Sequence, residues 1–448
     1  MRAIDTRENI LNDFNENKNG EYVIYWMQET QRIRYNYGLN KAIRIANEYN
    51  RPLIVIFNYI KNYPEAQKRH FKFMLEGLKE VEINLKKRNI KFIVFSGDLI
   101  ENLKRIAYNS VCIVMDKGYL RFQREQRRDL IKNIESKLIE VESNVVVPVK
   151  VTSLKEEYSA KTIRNKILKH MEKYLKECEE EKYNLKRIYN ALEIENVQDI
   201  QLLLEEINLD EKLENIYEFK GGEKEAHKKI KYFKENNLKD YLIKGPDKDV
   251  TSKISPYLHF GQISPLDIYF QIIESEHIEE RKKFIDELVV RRELAFNFVY
   301  YNDNYDKWDH ITYKWAYETL KKHSSDSKEW QYDKKSLEEA KTHDMYWNKA
   351  QRELVQSGYM DGYMRMYWGK KILEWMKTPK EAYEVTIYLN NKYLYDGRDP
   401  NSYAGVAWCY GKHDRAWPER KIFGKVRSMT STGLEKKYKM EKYMKNFL

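Results

Sequence analysis

Three cysteines in 448 residues, Cys112, Cys178 and Cys409, are too few and too far apart for a disulfide framework or a metal-ligand spacing. Reduced thiols in a cytoplasm is the economical reading. No metal site is expected. No run of about 18 apolar residues occurs, which excludes a membrane-spanning helix. The opening MRAIDTRENILNDF lacks the apolar centre of a secretory signal. No proline falls between Pro148 and Pro246, and no internal repeat or low-complexity tract breaks the chain. No GxGxxG follows the first apolar run, so the standard dinucleotide fingerprint is missing.

What is present is ordinary in bulk and uneven in detail. Charged residues make up 34% and hydrophobic ones 42%, the balance of a globular chain of two or three domains. The net charge is +11, and residues 420–448 hold nine Lys/Arg against two Glu, a local net of +7. That stretch suits either a polyanion or a solvated tail. Tryptophan is the anomaly: eight of nine lie between Trp308 and Trp417, which implies a thick aromatic core, a flat ligand, or both.

The first 150 residues alternate short β-branched runs with amphipathic stretches. YVIYWM (22–27), PLIVIFN (52–58), KFIVFSG (91–97), SVCIVMD (110–116) and NVVVPV (144–149) read as strands covered on both faces. QRIRYNYGLNKAIRIANEYN and QKRHFKFMLEGLKEVEINLKKRN between them have helical periodicity. The expected fold is therefore α/β plus all-α. A doubly wound parallel domain spans 1–150, a charged helical connector 151–225 and a helical domain 226–448. Within the connector, LKHMEKYLKECEEEKYNLKRIY reads as a surface helix.

Several segments have the residue types of a site. TSKISP brings Thr251, Ser252 and Ser255 together before Pro256, which suits either a phosphate or a helix cap. DELVVRREL sets Glu287 and Glu293 beside arginines. DGRDPNSYAGVAW offers small residues leading into Trp408, either a helix connection or backbone approaching a planar ligand. KHDRAWPERK flanks Trp417 with Arg415, Arg420 and Lys421, as a nucleic-acid contact would. In MRMYWGKKILEW, Trp368 and Trp375 return to nearly one helix face, as core packing or as an electron path.

Together YWMQETQRIRYNYGL, RHFKFMLEGLKEVE, SPYLHFGQISP, ELVVRREL, THDMYWNKAQRELVQSGYMDGYMRMYWGKKILEW and YLNNKYLYDGRDPNSYAGVAW resemble the class II cyclobutane pyrimidine dimer photolyases, from about Glu21 to Tyr438. The resemblance implies light-dependent repair of these dimers in DNA by electron transfer from reduced FAD. A flavin photoreceptor without repair activity is the alternative. It places FAD against Thr251, Ser252, Lys253, Ile254 and Ser255, with Tyr241 nearby and Arg365 paired with Asp396 under the flavin. Asn390, or Asn391 one register on, then faces the flavin. Trp368, Trp347 and Trp375 match the photoreduction path, with Trp368 nearest the flavin. Glu287, Met366, Trp408 and Trp417 surround the dimer, and Asp414 and Arg415 fill the gap it leaves in the duplex. Arg420 and Lys421 are expected to contact DNA. An antenna, deazaflavin or folate, is allowed in the N-terminal domain. A cytoplasmic monomer with access to bacterial or archaeal DNA is expected. Phe296 departs from the family pattern, where a polar residue is usual.

Overall fold

LIVIFNY, residues 53–59, is buried at every position but one. A strand can be that apolar only when both faces of its sheet are covered. The computed structural model, which describes residues 6–192, 194–209 and 219–445, supplies the covers. Seven strands, β1 (Glu8–Ile10), β2 (Tyr22–Trp26), β3 (Leu53–Tyr59), β4 (Lys91–Ser96), β5 (Ser110–Asp116), β6 (Leu138–Val141) and β7 (Val197–Gln198), lie in the order β1-β6-β5-β2-β3-β4-β7. The five central strands pair in parallel, and β1 and β7 close the edges antiparallel. Helices Tyr37–Tyr49 and Lys68–Lys87 cover one face, and Leu99–Ala107 and Arg121–Asn133 the other. The first buries Leu39, Ala42, Ile43 and Ala46, the spacing that lines one side of a helix.

Two expectations fail, for the same physical reason. NVVVPV is no strand; LIEV, 138–141, takes the sheet position instead. Residues 144–148 form a buried loop whose backbone is held by side chains, and Val149 starts the short helix Val149–Thr152. Arg7 donates to the carbonyls of Glu142, Val145 and Val146, and Glu293 accepts from the N–H groups of Val146 and Val147. The expected connector helix stops at Tyr174. Beyond it the described residues up to β7 have no regular structure, and they lie along the N-terminal domain. Asn40 and Asn47 donate to the carbonyls of Glu179 and Lys182, and Arg44 and Arg88 pair with Glu181 and Glu180. Side-chain partners that satisfy a backbone remove its need for a helix or a ladder.

From residue 219 to 445 the structure is helical, without strands. His70 meets the Leu394 carbonyl at 3.0 Å, and Arg69 donates to that of Val355 at 2.8 Å, so the second helix of the α/β unit is fastened to the helical one. Phe296, in the helix Arg292–Tyr301, packs edge-on against Tyr119 of the N-terminal domain. No described helix is long and apolar enough to cross a membrane.

Candidate functional site

Four helices, Met345–Ser357, Gly362–Trp375, Pro379–Tyr393 and Pro400–Cys409, each begin at a residue whose side-chain oxygen accepts a first-turn N–H: Asp344, Asp361, Thr378 and Asp399. Gly358, at φ 66°, ends the first of them in the left-handed conformation glycine adopts without strain. Between them lies a cavity of about 590 Å³ lined by Arg365, Met366, Trp368, Asn390 and Ser402, among others. At Gly362 and Gly405, on its wall, an added Cβ would meet nothing within 4 Å. The Arg365 guanidinium faces the Asp396 carboxylate with two N–O distances of 3.1 Å. Asp396 Oδ1 has no aligned hydrogen-bond donor, which leaves a buried acceptor beside the cavity. Asn390 lines the cavity, whereas the Asn391 carboxamide oxygen is engaged by the Arg398 N–H at 3.0 Å and by Asn390 Nδ2 at 3.1 Å.

The turn 359–362 separates this cavity from a second cleft of about 470 Å³, lined by Thr251, Lys253, Tyr359 and Asp361. Thr251 Oγ1 lies 2.8 Å from the Tyr359 hydroxyl. Of the five residues 251–255, Ser252, Ile254 and Ser255 stand on neither wall. The two clefts adjoin at this turn, the arrangement that a folded ligand with two ring systems needs and the shape the resemblance assigns to FAD.

Three indoles lead away from the cavity. Trp368 lines it; Trp347 lies parallel to Trp368, centroids 6.5 Å apart and 6° between planes; Trp375 meets Trp347 at 5.5 Å and 70°. All three are buried. Trp368 donates its indole N–H to Gln351 at 2.8 Å, and Trp347 donates to the Trp368 carbonyl at 3.0 Å. The outer edge of Trp375 packs on Tyr332 and His343.

Glu287 sits on a π-helical turn, Asp286–Arg291, between two α-helical stretches. Such one-turn bulges often mark functional positions. Tyr241 donates its hydroxyl to Glu287 Oε2 at 2.6 Å and lines neither cleft, so its polar end faces the carboxylate. Lys244 donates to the same oxygen at 2.5 Å, and Lys283 reaches Oε1 at 3.1 Å. Burial would raise the Glu287 carboxyl, but Lys244, Tyr241 and Lys283 together hold it below its ordinary range.

Trp408 and Trp417 are both partly buried and share one cation: the Arg427 guanidinium lies 5.9 Å from the Trp408 ring and 4.9 Å from the Trp417 ring. Arg415 covers Trp417 at 4.8 Å, and Asp414 accepts its indole N–H at 3.3 Å. Arg415, Trp417, Arg420 and Arg427 line an open cleft of about 1190 Å³. Lys421 is outside that lining and donates to Ser327 at 2.6 Å. The sequence reading missed Arg427, Lys244 and Lys370, whose buried ammonium lies 4.8 Å from the Trp408 ring. Arg427 was hidden among the lysines of the basic tail. Lys370 stood inside a motif read for Arg365, Met366 and its tryptophans.

A further crevice of about 990 Å³ opens at the carboxyl ends of β2 and β3 and reaches Arg398 and Asp399 of the helical domain. Gln31 Oε1 and Asn58 Oδ1, from residues on its wall, are buried without a partner. Among the described residues no cluster of His, Cys, Asp and Glu is placed to hold a metal ion.

An α/β domain docked on a helical domain, with adjoining clefts and buried indoles between its helices, defines a two-domain α/β plus all-α architecture. The family model for DNA photolyase matches residues 23–183. A deoxyribodipyrimidine photo-lyase of Methanothermobacter thermautotrophicus is 42% identical over 97% of this chain and 96% of its own length. Proteins of the same name from Arabidopsis thaliana and Potorous tridactylus are 36% and 34% identical, each over 94% of this chain and over 88% and 80% of their own lengths. The chain belongs to the photolyase/cryptochrome family. Its fold matches an archaeal photolyase from Sulfolobus tokodaii, solved with two FAD molecules, with a TM-score of 0.71, 19% identity and coverage of 95% of this chain and 90% of that one. A Synechocystis cryptochrome matches with a TM-score of 0.72, 15% identity and coverage of 95% and 88%.

Proposed function

We propose that this protein is a class II photolyase that repairs cyclobutane pyrimidine dimers in DNA with light. The observation that carries the reading is the cavity lined by Arg365 and Asn390 that opens directly onto the path Trp368–Trp347–Trp375. The open wall at Gly362 and Gly405 and the second cleft at Thr251 fit FAD. When bound there, reduced FAD supplies the light-driven electron that opens the cyclobutane ring and is then recovered.

The protein's own residues bind, orient and exclude water. Arg365 and Asp396 form an ion pair at the cavity that would hold the polar edge of the flavin. Asn390 lines the cavity, with its carboxamide nitrogen held by the Asn391 oxygen. The three buried indoles give an electron a route from the outer side of the helical domain to the cavity. Trp408 and Trp417 offer rings for the two bases, and Glu287 a polar group for a base edge. The lesion must leave the stack to reach them, and a damaged pair opens at lower cost than an intact one. The crevice at the ends of β2 and β3, with its unpartnered Gln31 and Asn58 oxygens, offers room for a second chromophore, a deazaflavin or a folate, if the protein carries one.

The test is an absorption spectrum of the purified protein before and after illumination with a reductant, followed by a light-dependent assay on a thymine-dimer oligonucleotide. About one FAD per chain, bleaching of its oxidised bands and loss of dimers only in the light are expected. Protein that stays colourless after reconstitution overturns the cofactor reading. A flavoprotein that photoreduces but leaves dimers intact is a photoreceptor instead.

A further inference from the structure

Lys244 is a cation that the proposed repair reaction leaves unused. It follows the short helix Leu238–Ile243, and its ammonium bridges the Tyr241 hydroxyl at 2.7 Å and Glu287 Oε2 at 2.5 Å while lying 3.9 Å from the Tyr241 ring. The lysine is therefore fixed from two sides, by a ring beneath it and a carboxylate ahead of it. Three titratable groups contact Glu287. Tyr241 and Lys244 come from one segment, and Lys283 from one turn earlier on Glu287's own helix. Behind them the Asp361 carboxylate also acts on Lys244 and Tyr241.

Resting on the dimer-pocket reading of Glu287, we propose that Lys244 is a positioning residue that keeps this carboxyl a pure hydrogen-bond acceptor and so directs the pocket to bases that present an imide N–H. The chemistry follows from donor and acceptor counts. An ionised carboxylate only accepts; a neutral carboxyl also donates. Thymine and uracil rings present N3–H as a donor, and an ionised Glu287 matches it. Cytosine presents an unprotonated N3, which repels a carboxylate and accepts only from a neutral carboxyl; its N4 amino group still donates to either form, so the discrimination acts at N3. Burial alone pushes Glu287 toward that neutral form, and Lys244 is the largest influence opposing it. Lys283 is the weaker restraint, since its side chain is 41% exposed and its contact longer.

The experiment measures binding in the dark, independently of any repair chemistry. Wild type, Lys244→Met, Lys244→Arg and Glu287→Gln are titrated with duplex DNA containing one thymine dimer, and with the undamaged duplex, between pH 5.5 and 8.5. The wild type should prefer damaged DNA equally across this range. Lys244→Met should lose about tenfold of that preference at the acid end, the scale of one charge-assisted hydrogen bond, and regain it as pH rises. The sign follows because removing the cation raises the carboxyl's pKa, so Glu287 protonates at a higher pH. Lys244→Arg should restore the flat profile, and Glu287→Gln should lower preference without pH dependence. Two outcomes overturn the proposal. One is Lys244→Met with the wild-type profile. The other is an equal, pH-independent loss for damaged and undamaged DNA, as expected of a simple phosphate contact. A wild type with no preference for damaged DNA overturns the dimer-pocket reading itself, which separates the two failures.

Discussion

Trp347 has no exposed surface, lies parallel to one indole and stands steeply against another. Dense packing and an electron path place the same demands on such a residue, namely close rings and no water. Their effects separate under substitution. Phenylalanine at 368 keeps most of the ring volume but is much harder to oxidise. Trp368→Phe should therefore abolish photoreduction of the oxidised flavin and leave repair by pre-reduced enzyme close to wild type. Transient absorption of both reactions checks this, and photoreduction at the wild-type rate would remove Trp368 from the path. Trp347→Ala should fail differently. It creates a large cavity and strips the Trp368 carbonyl of its 3.0 Å donor, so it should cost about 3–5 kcal/mol of stability, read by denaturant unfolding. The periodicity of MRMYWGKKILEW puts Trp368 and Trp375 on one face, but Trp347 enters between them from another helix. Its place in the sequence 368–347–375 was legible only through the family resemblance.

At the scale of elements, β2 to β5 were legible because fully buried parallel strands must be short, apolar and β-branched. The same composition misled at 144–149, since a buried loop can be equally apolar when side chains satisfy its backbone. Arg7 and Glu293 do this from distant parts of the sequence, and no local pattern announces them. Glu293 also offers a test. It is almost wholly buried, its Oε2 has no partner, and desolvation pushes its carboxyl up to about 8, against the opposing pull of the two backbone N–H groups and Arg292. A carboxyl whose pKa is raised by folding contributes fully below its unfolded value, near 4.5, and loses that contribution as pH rises toward 8. Glu293→Gln keeps the acceptor for Val146 and removes the titration. Relative to the wild type, the variant should gain stability steadily between pH 5 and 8, by about 1.4 kcal/mol for each pKa unit at most. Thermal unfolding at several pH values reads the difference, and a constant offset would show that Glu293 does not titrate in this window.

At the scale of the whole molecule, the charge is placed where the proposed DNA face lies. Arg415, Arg420 and Arg427 line one cleft with Trp417, and Lys421 stands beyond it. Counterion release makes binding to any duplex weaken as salt rises, with a slope set by the number of phosphates contacted. Arg420→Ala and Lys421→Ala should lower affinity for damaged and undamaged DNA alike and reduce that slope. Trp417 should behave otherwise. It is partly buried, held by Asp414 through its N–H and covered by Arg415 and Arg427, an arrangement that fixes a ring for stacking rather than a charge for phosphate. Trp417→Ala should cost about 1–3 kcal/mol on dimer-containing DNA only, with an unchanged salt slope. Titration of both duplexes at two salt concentrations decides the matter. If Trp417→Ala weakens both equally, the indole is not in the lesion pocket, and Trp408, with Lys370 fixed at 4.8 Å from its ring, remains as the stacking residue.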